Sequence, residues 1–134
     1  MAPPPDPLVF FTDRDVGRYY VPEALRKAGE TVKVHADEFP EETDDATWLR
    51  VVGRHGWIVL TNDKKIRKRP NEIEAVREAK VRMFAFGSGN LKGEVMAEQI
   101  VKALPEIKSL ISRQSAPFIA NITEGGRVRL IRTW

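Results

Sequence analysis

The 134-residue sequence predicts an α/β fold: a three-layer α/β/α sandwich on a four-stranded, mostly parallel sheet, with a C-terminal β-hairpin added. Three observations carry that expectation. Leu8-Val9-Phe10-Phe11-Thr12 and Trp57-Ile58-Val59-Leu60-Thr61 are short, rich in β-branched and aromatic residues, and bounded by polar punctuation, as strands buried on both faces are. Strand-like and helix-like stretches alternate in the order β-α-β-α-β-α-β, which favours parallel strands joined by right-handed connections. Glu124-Gly125-Gly126 lies between Phe118-Ile119-Ala120-Asn121-Ile122 and Val128-Arg129-Leu130-Ile131-Arg132, which is a hairpin signal at the sheet edge.

After the first strand, Tyr20 to Ala28 reads as a helix, with Pro22 suited to a first turn and Gly29 as the stop. Thr31 to His35 alternates and predicts a second strand, followed by an acidic loop. A helix from Ala46 to His55 puts Trp48, Leu49 and Val52 on one face, with Thr43 or Asp44 as N-cap and Gly56 as terminator. The third strand spans Trp57 to Thr61. A basic segment then leads to Pro70, and Asn71 with Glu74 resembles a capping box for a helix reaching about Lys80. Val81 to Phe86 is the fourth strand, ending in Gly87-Ser88-Gly89-Asn90. Two helical stretches follow, 92 to 104 and 105 to 112, with Ile100, Leu104, Ile107 and Ile111 at helical spacing. The organisation expected is a flexible Pro-rich tail over 1–7 and one domain over 8–134.

Composition excludes several classes. Hydrophobic content of 42% and charged content of 31% are those of a soluble globular protein, and no apolar run is long enough for a membrane span. The N-terminus has neither a basic n-region nor an apolar h-region, so no secretory signal is read there and the expected location is cytoplasmic. With no cysteine, the chain offers neither disulfides nor thiolate ligands nor a cysteine nucleophile, which leaves oxygen ligands for any metal. Gly87-Ser88-Gly89-Asn90-Leu91-Lys92-Gly93 misses both the dinucleotide and the P-loop spacings. His35 and His55 are isolated and make no zinc motif, and no Ser, His and acid set suggests acyl transfer. Trp48, Trp57, Phe84 and Phe86 fall on core faces, although an exposed aromatic could stack on a base.

The acids carry more information. Two apolar strands break off at aspartates, Asp13 and Asp63, and an acidic helix start, Asp44-Asp45, lies between them. In open α/β sheets, sites form beyond the carboxyl ends of strands, so such aspartates converge even when fifty residues apart. Two carboxylates about 4 Å apart at an effective dielectric near 20 repel by roughly 4 kcal/mol, so a cluster stays ionised only beside a cation such as Mg²⁺ or Mn²⁺. The ordinary alternatives are, at 13, an aspartate solvated in a turn or capping the next helix and, at 63, an N-cap. Asp15, directly after the first strand end, adds a further carboxylate. Asp45 is the candidate ligand on the helix and Asp44 the cap.

Charge is unevenly placed. Residues 37–45 hold six acids and no base, whereas residues 46–82 hold ten Lys and Arg against four acids, five of those bases within Lys64 to Arg69. A solvated face is the ordinary reading of such a run. Next to a cation site, however, clustered Lys and Arg suit a polyanion bound through its phosphates.

Taken together, Phe10-Phe11-Thr12-Asp13-Arg14-Asp15-Val16-Gly17-Arg18, Asp45-Ala46-Thr47-Trp48-Leu49 and Gly56-Trp57-Ile58-Val59-Leu60-Thr61-Asn62-Asp63-Lys64-Lys65-Ile66-Arg67 resemble the PIN-like domains of VapC-type toxin ribonucleases. The likeness covers nearly the whole chain and is most specific at the Thr-x-Asp-Lys end of the third strand. It implies a Mg²⁺- or Mn²⁺-dependent endoribonuclease acting on RNA, the toxin of a type II toxin-antitoxin system, silenced by a cognate antitoxin. Carried over, Asp13 and Asp63 are the strand-end metal ligands and Asp45 the helix-borne acid, these three being catalytic. Arg14, Arg18, Lys64, Lys65 and Arg67 would hold RNA phosphates. Many PIN nucleases carry another acid shortly after the second strand-end aspartate, where this chain has Lys65, Ile66 and Arg67. Either Asp15 supplies that carboxylate or a second cation arrives with the substrate. Rival readings are a non-catalytic RNA- or partner-binding module and a receiver-like phosphoacceptor domain. Phe118, Ile119, Leu130 and Trp134 suit a sheet edge and a homodimer contact equally.

Overall fold

In the computed structural model, which describes residues 7–62, 68–87 and 91–134, the apolar runs lie side by side as expected. β1 (Val9–Thr12) pairs in parallel with both β2 (Thr31–Val34) and β3 (Ile58–Thr61), with Thr12 opposite Leu60. β4 (Arg82–Phe86) adds to β3, and β5 (Phe118–Ile122) adds in parallel to β4. Only β6 (Val128–Thr133) runs antiparallel, on β5. The sheet order is therefore β2-β1-β3-β4-β5-β6. The expected hairpin does extend the sheet edge: its first strand joins the parallel set and its second runs antiparallel, so the four expected strands and the hairpin make one six-stranded sheet.

Helices cover both faces. α1 (Tyr20–Lys27) and α5 (Gly93–Arg113) pack on one, with Leu25, Ile100 and Ile107 buried against Phe10, Leu60 and Phe84. α3 (Asp45–His55) and α4 (Pro70–Glu78) pack on the other, with Trp48, Leu49 and Val76 buried against Phe11, Val59 and Met83. Neighbouring strand residues such as Phe10 and Phe11 point to opposite layers, which is why the strands are apolar without alternation. Where α3 passes the end of α4, a side chain at Gly53 would come within 2.6 Å of both the Cβ and the carbonyl oxygen of Ala79. Glycine's cost inside a helix is accepted there to let the two elements touch.

Local differences from the expectation have physical causes. α4 begins at Pro70 itself, whose fixed φ suits the first helical position, so Asn71 lies inside the helix and no capping box forms. α5 is one helix, running through Pro105. Pro105 and Val101 both lie on the exposed face, so the carbonyl that loses its hydrogen bond can meet water. The second strand stops at Val34, and His35 opens a short helix, α2 (His35–Glu38), where a loop was expected. Among the described residues no helix is long and apolar enough to cross a membrane.

Candidate active site

Asp13 is the residue on which the carboxyl edge of the sheet closes. Its amide donates to the Leu60 carbonyl at 3.0 Å, extending the β1–β3 ladder one step past the strand and holding the side chain where those two strands end. Asp13 is almost wholly buried, 3% exposed. Its Oδ2 accepts from the Thr61 hydroxyl at 2.9 Å, and its Oδ1 accepts from the Arg14 amide at 2.6 Å. Burial pushes the Asp13 pKa from its ordinary 3.8 up to about 7; the two hydrogen bonds oppose the shift, and the negative charges of Asp15 and Asp45 add to it. Three acids thus feel one another across β1, the 3₁₀ turn Arg14–Val16 and the start of α3.

Asp44 and Asp45 divide as their positions in α3 dictate. Asp44 is the N-cap and accepts from the Thr47 amide at 3.2 Å. Asp45, one residue inside, turns toward the sheet edge: its Oδ1 accepts from Trp48 Nε1 at 2.9 Å and from the Arg14 guanidinium at 2.7 Å, and its Oδ2 lies 3.4 Å from Arg69. Arg14 also donates to the Glu41 carbonyl. Read in sequence as a phosphate contact, Arg14 is here a counter-ion drawn into the acidic cluster, its side chain one third exposed. Arg18 and Asp15 are exposed beside it.

A cleft of about 240 Å³ opens next to Asp13, lined among others by Arg14, Arg18, His35, Phe39 and Glu41. His35 is buried among Phe11, Phe39 and Trp48, and burial, followed by the nearby Arg14 charge, holds its pKa below the ordinary value. Neither ring nitrogen has a hydrogen-bond partner among the described residues.

Asp63, Lys64, Lys65 and Arg67 lie outside the described residues, as does the Ser88-Gly89-Asn90 part of the glycine-rich loop. Among the described residues no three acids or histidines group closely enough to hold a metal ion by themselves. The donors present nevertheless suit a hard cation. Asp13 offers a carboxylate whose ionisation burial opposes, and Thr12 Oγ1 and Asn62 Oδ1, at the ends of β1 and β3, are buried with no hydrogen-bond partner among the described residues. Oxygen donors alone, with no sulfur, match Mg²⁺ or Mn²⁺ better than zinc.

Two contributors escaped the sequence reading. Thr61 was read as a strand end, yet its hydroxyl fixes Asp13, and the Thr-x-Asp spacing was the signal for it. Trp48 was read as packing, which it is, but its indole N–H also positions Asp45, and helical spacing alone carries no sign of that bond.

A family model described as a PIN like domain matches residues 8–88. A Mycobacterium tuberculosis (strain ATCC 25618 / H37Rv) protein named "Putative ribonuclease VapC45" is 28% identical over 125 residues, 90% of each chain. No solved structure matches significantly. The matched segment runs from β1 through β4 and includes Asp13, the start of α3 and the end of β3, so the family and the site coincide: the chain belongs to the PIN-like domain family.

Proposed function

We propose that this protein is a metal-dependent endoribonuclease, the toxin of a type II toxin-antitoxin pair, hydrolysing RNA phosphodiester bonds and held silent by a cognate antitoxin. The observation that carries the reading is Asp13: a carboxylate buried at a strand end, clamped by Thr61 and facing two further acids, in a PIN-like domain. Similarity to the mycobacterial relative supports the choice of RNA as substrate. Residues 8–134 would work as one catalytic domain in the cytoplasm, behind the tail over 1–7, as a monomer or a homodimer.

In this reading Asp13, Asp45 and Asp63 would hold Mg²⁺ or Mn²⁺, with Asp15 as the fourth carboxylate. Asp63 follows Thr61 by two residues in the chain, which ties it to the hydroxyl that fixes Asp13. When bound, the cation supplies Lewis-acid stabilisation of charge building on the scissile phosphate and acidifies water for in-line attack. The chain itself does the positioning. Thr61 and the Arg14 amide hold both oxygens of Asp13, and Trp48 holds Asp45. Arg18, Lys64, Lys65 and Arg67 would bind the flanking phosphates, joined by Arg14 once it lets go of Asp45.

Asp13→Asn is the decisive variant. RNA cleavage in Mg²⁺ or Mn²⁺ is expected to fall at least about 1000-fold, or ~4 kcal/mol, with the melting transition retained. Cleavage at the wild-type rate by that variant rules the assignment out. The grip of Asp45 on a guanidinium favours one second reading, a non-catalytic module whose acids hold a partner's arginine. Calorimetric titration with Mg²⁺ separates them, since only the nuclease reading expects the ion to bind in an Asp13-dependent way.

A further inference from the structure

The aromatics read in the sequence as core residues are packed away and offer no face to a base. Trp48, Phe84 and Phe86 are buried, and Trp57 is half-buried with its ring stacked on His55 at 4.6 Å between centroids. Trp134 is 50% exposed but sits at the wrong end of the molecule. β6 is antiparallel to β5 with Thr133 opposite Phe118, so the chain ends at the amino edge of the parallel strands, away from Asp13.

One exposed aromatic pair does lie at the carboxyl edge. Tyr19 and Tyr20 are 65% and 47% exposed and meet edge to face, 5.1 Å between ring centroids. They stand where α1 begins, and Tyr19 follows Asp13 by six residues, so at most about 20 Å of chain separates those two positions. α5 starts at the same edge, after β4, and Tyr20 lies tight against it: a Cβ at Gly93 would come 2.7 Å from the Tyr20 ring. Tyr20 is therefore backed by the opening of α5, while the Tyr19 ring faces outward. Two exposed cations adjoin these segments in the chain, Arg18 directly before Tyr19 and Lys92 directly before Gly93.

We propose that Tyr19, braced by Tyr20, is a stacking platform for one base of single-stranded RNA, with Arg18 and Lys92 on the adjoining phosphates. An open aromatic face with cations on the adjoining residues fits a strand that is both planar in its bases and negative along its backbone. The pair would take up a base a few nucleotides from the scissile bond, and it relies on the nuclease reading only for where that bond lies. Because stacking accepts any base, the platform contributes affinity and register but little sequence preference.

The test is titration of a short single-stranded oligouridylate carrying one 2-aminopurine, in EDTA so that no strand is cut. Wild type is expected to quench the 2-aminopurine on binding. Tyr19→Ala should lose the quenching and bind about 5- to 100-fold more weakly, whereas Tyr19→Phe should retain both. Quenching and affinity unchanged in Tyr19→Ala overturn the platform, as does a Tyr19→Ala effect confined to self-association on a sizing column, which would make the pair a protein contact. The two readings fail separately. Loss of cleavage in Asp13→Asn alongside normal stacking in Tyr19→Ala removes only the platform, while Tyr19-dependent stacking in a protein that cuts no RNA leaves the platform and removes the nuclease.

Discussion

The two helical layers bury similar apolar faces on one sheet, yet only one of them reaches into the acidic site. Against α1 and α5 the packing is largely aliphatic, built from Val21, Leu25, Ile100, Leu104 and Ile107 over strand phenylalanines. Against α3 it is aromatic: Phe11 lies 5.2 Å from Trp48 and 6.1 Å from Trp57 between ring centroids, with His35 beside them. Trp48 then carries that layer to the site by donating its indole N–H to Asp45. The contrast shows how a fold separates support from function. The aliphatic layer holds the sheet, while the aromatic layer also sets where a carboxylate points.

The largest expected difference is on the supporting side. Ile107 on α5 is fully buried, so Ile107→Ala should destabilise the protein by about 2–5 kcal/mol through lost burial and the cavity left behind. Denaturant unfolding measures this. Cleavage per folded molecule should be unchanged; a selective loss of activity at full folding would show that this layer also shapes the site.

Asp13 gives the next effect, and it depends on pH. Its pKa is about 7 in the folded protein against an ordinary 3.8, so between those values the folded state binds the proton more tightly than the unfolded chain does. In metal-free protein this contribution favours folding below about pH 4, is lost as the pH rises, and is gone above about 7. Asp13→Asn should therefore be more stable than wild type at pH 8 in EDTA, by about 1–4 kcal/mol, with the gap closing toward pH 4. Adding Mg²⁺ at pH 8 should stabilise wild type and not the variant. Equal thermal stability of the two proteins at pH 8 would mean that Asp13 is solvated.

Trp48→Phe brings the two functions of one residue into a single measurement. Phenylalanine keeps an apolar ring against Phe11 but removes the 2.9 Å bond to Asp45 and leaves some volume empty. A loss of about 1–3 kcal/mol in stability is expected, with cleavage reduced more than folding because Asp45 is no longer aimed. Parallel losses in the two would reduce Trp48 to packing.

How much of this could be read beforehand follows from which forces act locally. Strands buried on both faces announce themselves, so Phe10-Phe11 and Val59-Leu60 were legible, and with them Asp13 at a strand end. The α3 start was legible too, because Asp44 and Gly56 are local capping chemistry. Pro105 misled, since the cost of proline in a helix depends on whether solvent reaches the freed carbonyl, which only the tertiary structure decides. The charge of Arg14 was plain but its inward turn toward Asp45 and Glu41 was not, because that turn requires segments about thirty residues apart to meet. The strand identity of Phe118 to Ile122 was legible and its partner was not, because a hairpin signal says nothing about whether its first strand also pairs with β4.

Asp44 and Asp45 offer the smallest and sharpest contrast, two neighbouring carboxylates with separate tasks. Asp44 is exposed and accepts only the Thr47 amide among its described contacts, so Asp44→Ala should cost about 1 kcal/mol, the ordinary value of a helix N-cap. Asp44→Asn should recover most of it, since an amide oxygen caps nearly as well. Neither change touches the groups around Asp13, so cleavage should stay within about twofold of wild type once the folded fraction is matched. Asp45→Asn inverts the pattern: the side chain keeps an oxygen for Trp48 but loses the charge that draws Arg14 and Arg69, so cleavage should collapse with little change in the melting temperature. Thermal melts paired with cleavage rates on the same three variants decide the matter. If Asp44→Ala suppresses cleavage as strongly as Asp45→Asn, the acid at the helix start acts through α3 as a whole, and the division between cap and ligand fails.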